Sequence, residues 1–478
     1  MGLLKFKPEQ KKQLFLLPPS IEEFIAENHL ARVIDGIVEK LDCRSIEEQY
    51  SFLGQKSYSP KMIIKLWIYS YCTGVFSGRK IDVKCETDTA YMFLAGMYRP
   101  DFRTINDFRK DNIDFFNKIF LDVLQVCRQL GMAQVGTIAI DGTKIRANAS
   151  AKRSKDKAGY EQWKSNIEKN LEQLHKQADE INAQEDKQLG KKRGDELIRK
   201  IRGKENLKQK IEKVLKEFEN SGRNTKEKIN LTDEDAKMMK AKGRIDTNYN
   251  CQGGVSMDGV IVAQYVETIA NDKEQLLPLV KQVESNINEK PENILADSGY
   301  ASYDSYEKIA AQNIVAYMPD QEYENREEKQ KDLFDRNNFH YDAEKDHYIC
   351  PHGKALRYAN DYIVEERKQK SRVYTCKECT ACPLKSQCTK SNQRSIYREY
   401  REPLREQARQ RLDSPDGKKI YNQRMYTIEP IWGNIKFNHK FQMFSLKGKH
   451  KVTGEFSLMC TANNILKIYQ KKTKKEAA

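Results

Sequence analysis

Two short apolar runs, each ending in an aspartate, constrain this chain more than any other feature. In VGTIAIDGTK, residues 135–144, the run Thr137, Ile138, Ala139 and Ile140 reads as a buried strand, and Asp141 and Gly142 follow directly. The pattern recurs in ENILADSGYAS, residues 292–302. There Ile294, Leu295 and Ala296 lead into Asp297, with Gly299 and Tyr300 beyond and a helix from about Ser302. An acid at the end of a buried strand adds little to packing. Strand ends in α/β sheets face the ligand crevice, so holding a metal is the chemistry such a position offers. The plain alternative is an aspartate that only satisfies turn hydrogen bonds. Its recurrence in a matching setting weighs against that.

The segments between the two runs supply the rest of a sheet. YNCQGGVSMDGVIVAQYVET (249–268) reads as two strands joined by a turn at Met257-Asp258-Gly259. Asn271-Asp272 opens the helix KEQLLPLVKQVESN, and IVAYM (314–318) is a further strand. The order is strand, strand, strand, helix, strand, helix, strand, with Asp141 after the first strand and Asp297 after the fourth. That is the order of an RNase H-like mixed sheet flanked by helices.

The chain has 478 residues, long enough for two to four domains. Its 84 Lys+Arg outnumber 69 Asp+Glu, a net charge of +15, which points to a polyanionic partner, most often nucleic acid. No apolar run approaches the roughly 18–20 residues of a membrane span. The N-terminus reads as neither a secretory signal nor, with Phe6 where Ser or Thr belongs, a myristoylation signal. Of the 11 cysteines, Cys43, Cys72, Cys127 and Cys460 stand singly in apolar surroundings, which fits a reducing cytosol. Cys350, Cys376, Cys379, Cys382 and Cys388 are different. Overlapping CxxC pairs plus a distant cysteine suggest a tetrahedral structural zinc, with His352 a weaker candidate, and reduced thiols without metal as the alternative.

Before the first acid lie short helices: a capped start at Ser20, an apolar helix in MIIKLWIYSYC, and TINDFRKDN (104–112) with Thr104 as N-cap. Arg79, Lys80, Arg99, Arg103, Arg109 and Lys110 on their outer faces fit a helix-turn-helix-like DNA-binding region; a plain helical cap is the alternative. After Asp141, Ile167, Leu171, Leu174, Ala178 and Ile181 and then Leu207, Ile211, Val214 and Phe218 repeat at three- and four-residue steps. They predict an inserted helical hairpin with a basic tip in LGKKRGDE, either a solvated spacer or a contact for DNA phosphates or a second protomer. A third acid, Glu429, stands in GKKIYNQRMYTIEPIWGNIKF (417–437), and Pro430 directly after it suggests a kink or a restarted helix.

These residues carry a resemblance. From LLPPSIEEF through TINDFRKD, IDGTKIRANAS, TDEDAKMM, GYASYDS and CTACPLKSQC to IEPIWGNIK and SLKGKHKVTGEFSLMCTANNILKI, the chain is similar to bacterial insertion-sequence DDE transposases. Specifically it resembles those with an InsH-type helical N-terminal region and a cysteine-bearing insert. The resemblance implies an RNase H-like core with Asp141, Asp297 and Glu429 as the acidic triad, and a signature of Tyr421, Arg424, Glu429 and Lys436. Four residues separate Arg424 from Glu429, one more than the commonest pattern. Two Mg²⁺ (or Mn²⁺) ions about 3.5–4 Å apart would clamp the attacking and leaving oxygens of a phosphodiester. Asp141 would bridge them, with Asp297 and Glu429 taking one each. Arg424, Lys436 and Lys144 would hold phosphates, with Tyr421, Arg103 and Arg109 as further DNA contacts. Among the cysteines, the resemblance favours Cys379, Cys382 and Cys388 with Cys350 as zinc ligands and leaves Cys376 as the spare.

The expected organisation is a helical DNA-binding region (1–130), a core (131–150 and 245–320) interrupted by the hairpin (151–244), a small zinc-ribbon-like lobe (321–415), and a C-terminal part of the core (416–478). The implied protein is a prokaryotic cytoplasmic, nucleoid-associated enzyme, a homodimer on DNA, that binds terminal inverted repeats, cuts there and transfers 3′-hydroxyl ends to target DNA. The alternatives are an RNase H-like nuclease without strand transfer and a catalytically silent DNA-binding derivative.

Overall fold

A computed structural model describes residues 20–50, 57–185, 192–222, 224–241, 243–365 and 369–477. The LLPP before Ser20 and the LGK that opens the LGKKRGDE tip lie outside the described residues. The chain divides into two compact units, one of residues 127–434 and 447–453, the other of 1–126, 435–446 and 454–478. The expected C-terminal part of the core, 416–478, is thus shared between them.

The first unit is built on a mixed six-stranded sheet. Its strands are β1 (Thr137–Arg146), β2 (Lys237–Ala241), β3 (Arg244–Ser256), β4 (Ile261–Glu267), β5 (Asn293–Leu295) and β6 (Val315–Tyr317). The long strand β3 pairs antiparallel with β1 on one side and with β2 and then β4 on the other. β5 pairs parallel with β1, and β6 parallel with β5. Parallel pairs need crossovers. Two helices serve as these: one (Leu276–Ile287) between β4 and β5, and one (Tyr303–Ala311) between β5 and β6. The first buries Leu276, Leu279, Val280, Val283 and Ile287, the three-to-four spacing of a one-sided helix, and ends at Asn288 in the left-handed region.

Successive strand residues face opposite sides of a sheet, and two adjacent glycines in β3 exploit this. A Cβ on Gly254 would lie 3.3 Å from Val283, on the face covered by the Leu276–Ile287 helix. One on Gly253 would lie 2.6 Å from the indole of Trp432, on the other face.

The inserted hairpin comprises α1 (Lys157–Glu185) and α2 (Lys192–Asn220). Tyr160, Ile167, Leu171, Ile211, Val214 and Phe218 form its core together with Ile229, and Lys164–Glu212 (3.1 Å) and Lys208–Glu168 (2.8 Å) bridge its flanks. Further on, β7 (His340–Asp342), β8 (His347–Ile349), β9 (Ala355–Val364), β10 (Gln369–Thr375) and β11 (Ser395–Glu399) form an antiparallel sheet in the order β11-β10-β9-β8-β7. Phe339, Tyr348, Leu356, Tyr374, Cys376 and Ile396 are its core, half of it aromatic rings.

The second unit is helical. The capping box at Ser20 and Glu23 is present. The helix expected to start at Thr104 starts at Phe102 instead, because the Asp101 carboxylate caps it by accepting from the amides of Arg103 and Thr104. Helix Pro60–Cys72 is buried almost along its whole length. Arg109, expected on an outer face, is buried at 3% exposure. Its guanidinium lies 4.0 Å from the Trp67 ring, donates to Tyr71 Oη at 3.0 Å and to Ser445 Oγ at 2.9 Å, and stands 3.8 Å from the wholly buried Glu455. Arg109 therefore compensates a buried charge, whereas Arg103 is exposed. Removing one member of a buried pair leaves the other uncompensated. Arg109→Ala is expected to cost about 3–5 kcal/mol, read as a shift of the urea unfolding midpoint, and Arg103→Ala less than about 0.5 kcal/mol.

Candidate active site

β1 extends past β5. The β1–β5 pairing stops at Ala139 opposite Leu295, so Asp141 and Asp297 each lie two residues beyond the last paired position. Asp141 is therefore not at the end of its own strand, as expected, but inside it, where its neighbour β5 has turned away. There it remains paired only with Gly253 of β3. Asp297 caps a single turn, Ser298–Tyr300, accepting from the amide of Gly299 at 2.9 Å.

The third acid arrives from the far end of this unit. A helix over Pro415–Thr427, capped by Ser414, packs against β5 and β6. It breaks at Ile428 and a second helix starts at Glu429, with Pro430 in its first turn. On one unbroken helix, residues five apart point about 140° away from each other. Across this interruption Arg424 Nη1 nevertheless stands 3.5 Å from Glu429 Oε1. Trp432 lies over Gly253, directly across from Asp141.

One guanidinium ties the three acids together. Arg424 Nη2 is 3.2 Å from Asp141 Oδ1 and 3.8 Å from Asp297 Oδ2, and its Nη1 is 3.5 Å from Glu429 Oε1. Its Nε is buried and finds no acceptor among the described residues. Tyr421, one turn earlier, hydrogen-bonds Arg424, and burial raises its phenol pKa. Burial also pushes the Asp141 carboxyl up to about 6; Arg424 opposes the shift and nearby Asp297 adds to it.

Lys144 stands three residues from Asp141, hence on the opposite face of β1. Its Nζ pairs with Asp272 at 3.3 Å, so it does not sit beside Asp141 as expected. Asp272 also accepts from Asn250 at 2.6 Å and Gln252 at 2.7 Å, and Tyr300 donates to Gln252. Gly142 makes room for this network, since a Cβ there would lie 2.6 Å from Gln252 Nε2. The sequence offered only one signal for it, the polar Asn250 and Gln252 at alternate positions of a buried strand. Lys436 belongs to the helical unit, in a π-helical turn over Asn434–Asn438.

Three carboxylates converging on one cation have the donor chemistry that Mg²⁺ or Mn²⁺ requires. Among the described residues, however, no three His, Cys, Asp or Glu side chains stand close enough to hold a metal ion as placed, because Arg424 occupies the space between the acids. The same holds for the cysteines. Cys376 is buried in the aromatic core, where burial pushes its thiol up to about 12, and Cys350, Cys379 and Cys388 pack against that core. The expectation of zinc finds no support among the described residues.

Two family models match the chain: a transposase domain over residues 19–111 and a transposase DDE domain over residues 349–469. No curated protein and no solved structure matches it. The two matches together support an insertion-sequence DDE transposase as its family. The DDE match contains Glu429, Arg424 and the cysteine segment. Among the described residues, no helix is long and apolar enough to cross a membrane.

A folded carboxyl that titrates above its ordinary 3.8 favours folding while protonated. That stability is complete below the ordinary value and is lost as pH rises through about 6. Arg424 limits this loss. Arg424→Ala is therefore expected to destabilise the metal-free protein by about 2 kcal/mol at pH 8 and much less at pH 5, as read from urea unfolding. Equal losses at the two pH values would contradict the assignment.

Proposed function

We propose that this transposase cuts DNA at the ends of its mobile element and joins the freed 3′-hydroxyls to target DNA, using Asp141, Asp297 and Glu429 as its acids. The observation that carries the reading is their meeting at a single guanidinium although they lie far apart in the chain. The strand order β4-β3-β1-β5-β6, antiparallel on one side of β1 and parallel on the other, supports an RNase H-like core.

The acids would hold divalent ions, which when bound polarise the scissile phosphate and activate the attacking oxygen. The residues of the chain do the rest. Arg424 neutralises part of the acidic cluster before DNA arrives and then turns its planar fork to a phosphate, giving its unpartnered Nε an acceptor. Tyr421 steers that side chain. Lys144, held by Asp272, offers a point charge on the other face of β1. Trp432 against Gly253 fixes how closely the Glu429 segment approaches Asp141. The partners are the element's terminal inverted repeats and target DNA, with a homodimer uniting two ends.

Purified protein incubated with labelled element ends and Mg²⁺ or Mn²⁺ is expected to yield nicked and joined products. Asp141→Asn, Asp297→Asn and Glu429→Gln are each expected to lower cleavage about 10³-fold or more, equivalent to about 4 kcal/mol of barrier, while end-binding in a gel-shift assay persists. Nicks that are never joined would favour a nuclease instead. Binding lost together with cleavage would remove the catalytic assignment.

A further inference from the structure

At the base of the hairpin lies a cavity of about 490 Å³ whose charged lining is almost entirely basic. Arg153 comes from the segment after β1, Lys210 and Lys213 from α2, and Lys447 from the loop before the C-terminal helix; Glu234 is the one acid. None of them belongs to the acidic centre. We propose that this cavity is a second DNA-contacting site, one that holds the phosphodiester backbone of the duplex outside the acidic centre. The inference rests on the transposase reading, which supplies the polyanion.

The cations are placed, not merely abundant. Lys210 and Lys213 are three residues apart and so share one side of α2. Their neighbour Lys208 is tied to Glu168 at 2.8 Å, whereas Lys210 and Lys213 are exposed and form no salt bridge with any described residue. Arg153 Nη1 donates to Thr232 Oγ1 at 3.2 Å, and its carbonyl accepts from the Leu231 amide and the Tyr160 hydroxyl, both at 3.1 Å, which pins it to the cavity wall.

The loop carrying Lys447 is anchored by acids that are thereby used up. Asp233 accepts from the Gly448 amide at 3.2 Å and from the Tyr249 hydroxyl at 2.8 Å, and Asp235 accepts from the Lys449 amide at 2.7 Å. Lys449 Nζ takes Glu267 at 2.8 Å. Lys447 is exposed and keeps its charge for a ligand. Gly448 at φ +83° is what lets the loop turn there. Four cations from three separate segments, opposed by one carboxylate, fit consecutive phosphates of a backbone and make no provision for reading bases.

The test measures binding of the full chain to a duplex of about 30 base pairs across a salt series. Each neutralised phosphate contributes about −0.9 to the slope of log K against log salt. The pair Lys210→Gln and Lys213→Gln is expected to flatten that slope by nearly two, on any duplex sequence, with thermal unfolding unchanged. A control pair, Lys169→Gln and Lys176→Gln, removes the same charge from exposed positions of α1 outside the cavity and is expected to leave the slope near wild type. An unchanged slope in the cavity pair, or an equal fall in the control, overturns the proposal while DNA cleavage by the wild type still stands. Displacement of the duplex by inorganic phosphate at constant ionic strength would make this a small-anion site and also overturn it. Failure of the wild type to bind any duplex would refute the transposase reading itself, and this site with it.

Discussion

Three carboxylates crowd one guanidinium, and the unit around them is arranged to tolerate that. Asp141, Asp297 and Glu429 lie 3.2–3.8 Å from Arg424, which supplies one positive charge against three negative ones. Asp141 is the most enclosed of the acids, and burial, with nearby Asp297 adding to it, pushes its carboxyl up to about 6. Mutual repulsion alone would drive such a cluster apart. It is kept together by elements whose positions are set elsewhere: β1 and β5 by their parallel pairing, and the Glu429 segment by a broken helix packed on the same sheet.

Much of this was legible in the sequence, and what was not has a physical cause. The two apolar runs gave away β1 and β5 because buried strands are nearly continuous in hydrophobic residues. They did not show that β1 continues to Arg146, since Asp141, Gly142, Thr143 and Lys144 look like a turn until β3 is seen pairing along them. The Arg424–Glu429 spacing looked one residue too long, yet the guanidinium reaches the carboxylate at 3.5 Å. Lys144 seemed a neighbour of Asp141 by proximity in sequence, but the alternation of a strand sends it to Asp272. That acid stands in a loop and gave no pattern of its own.

The helical unit teaches the same lesson about charge. A basic residue in an amphipathic stretch invites an outward reading, yet Arg109 lies against Trp67 and faces Glu455 in the interior. Glu455, wholly buried, accepts from the Tyr71 hydroxyl at 3.1 Å and from the amides of Ser445 and Leu446. A buried ion pair of this kind is satisfied only because the surrounding hydroxyls and amides take up its remaining lone pairs. In the sheet of β7–β11, conversely, cysteines spaced like metal ligands contribute to an aromatic core. Spacing names the donors, and only packing says what they face.

The contact between Trp432 and Gly253 has a consequence beyond the site itself. The van der Waals thickness of one indole on a bare backbone sets how closely the Glu429 segment can approach the strand that lies across from Asp141. Any side chain at position 253 would lift that segment, and a smaller ring at position 432 would let it settle closer. The two positions are therefore expected to drift as a pair across related chains, a glycine kept wherever tryptophan is kept and relaxed wherever it is lost.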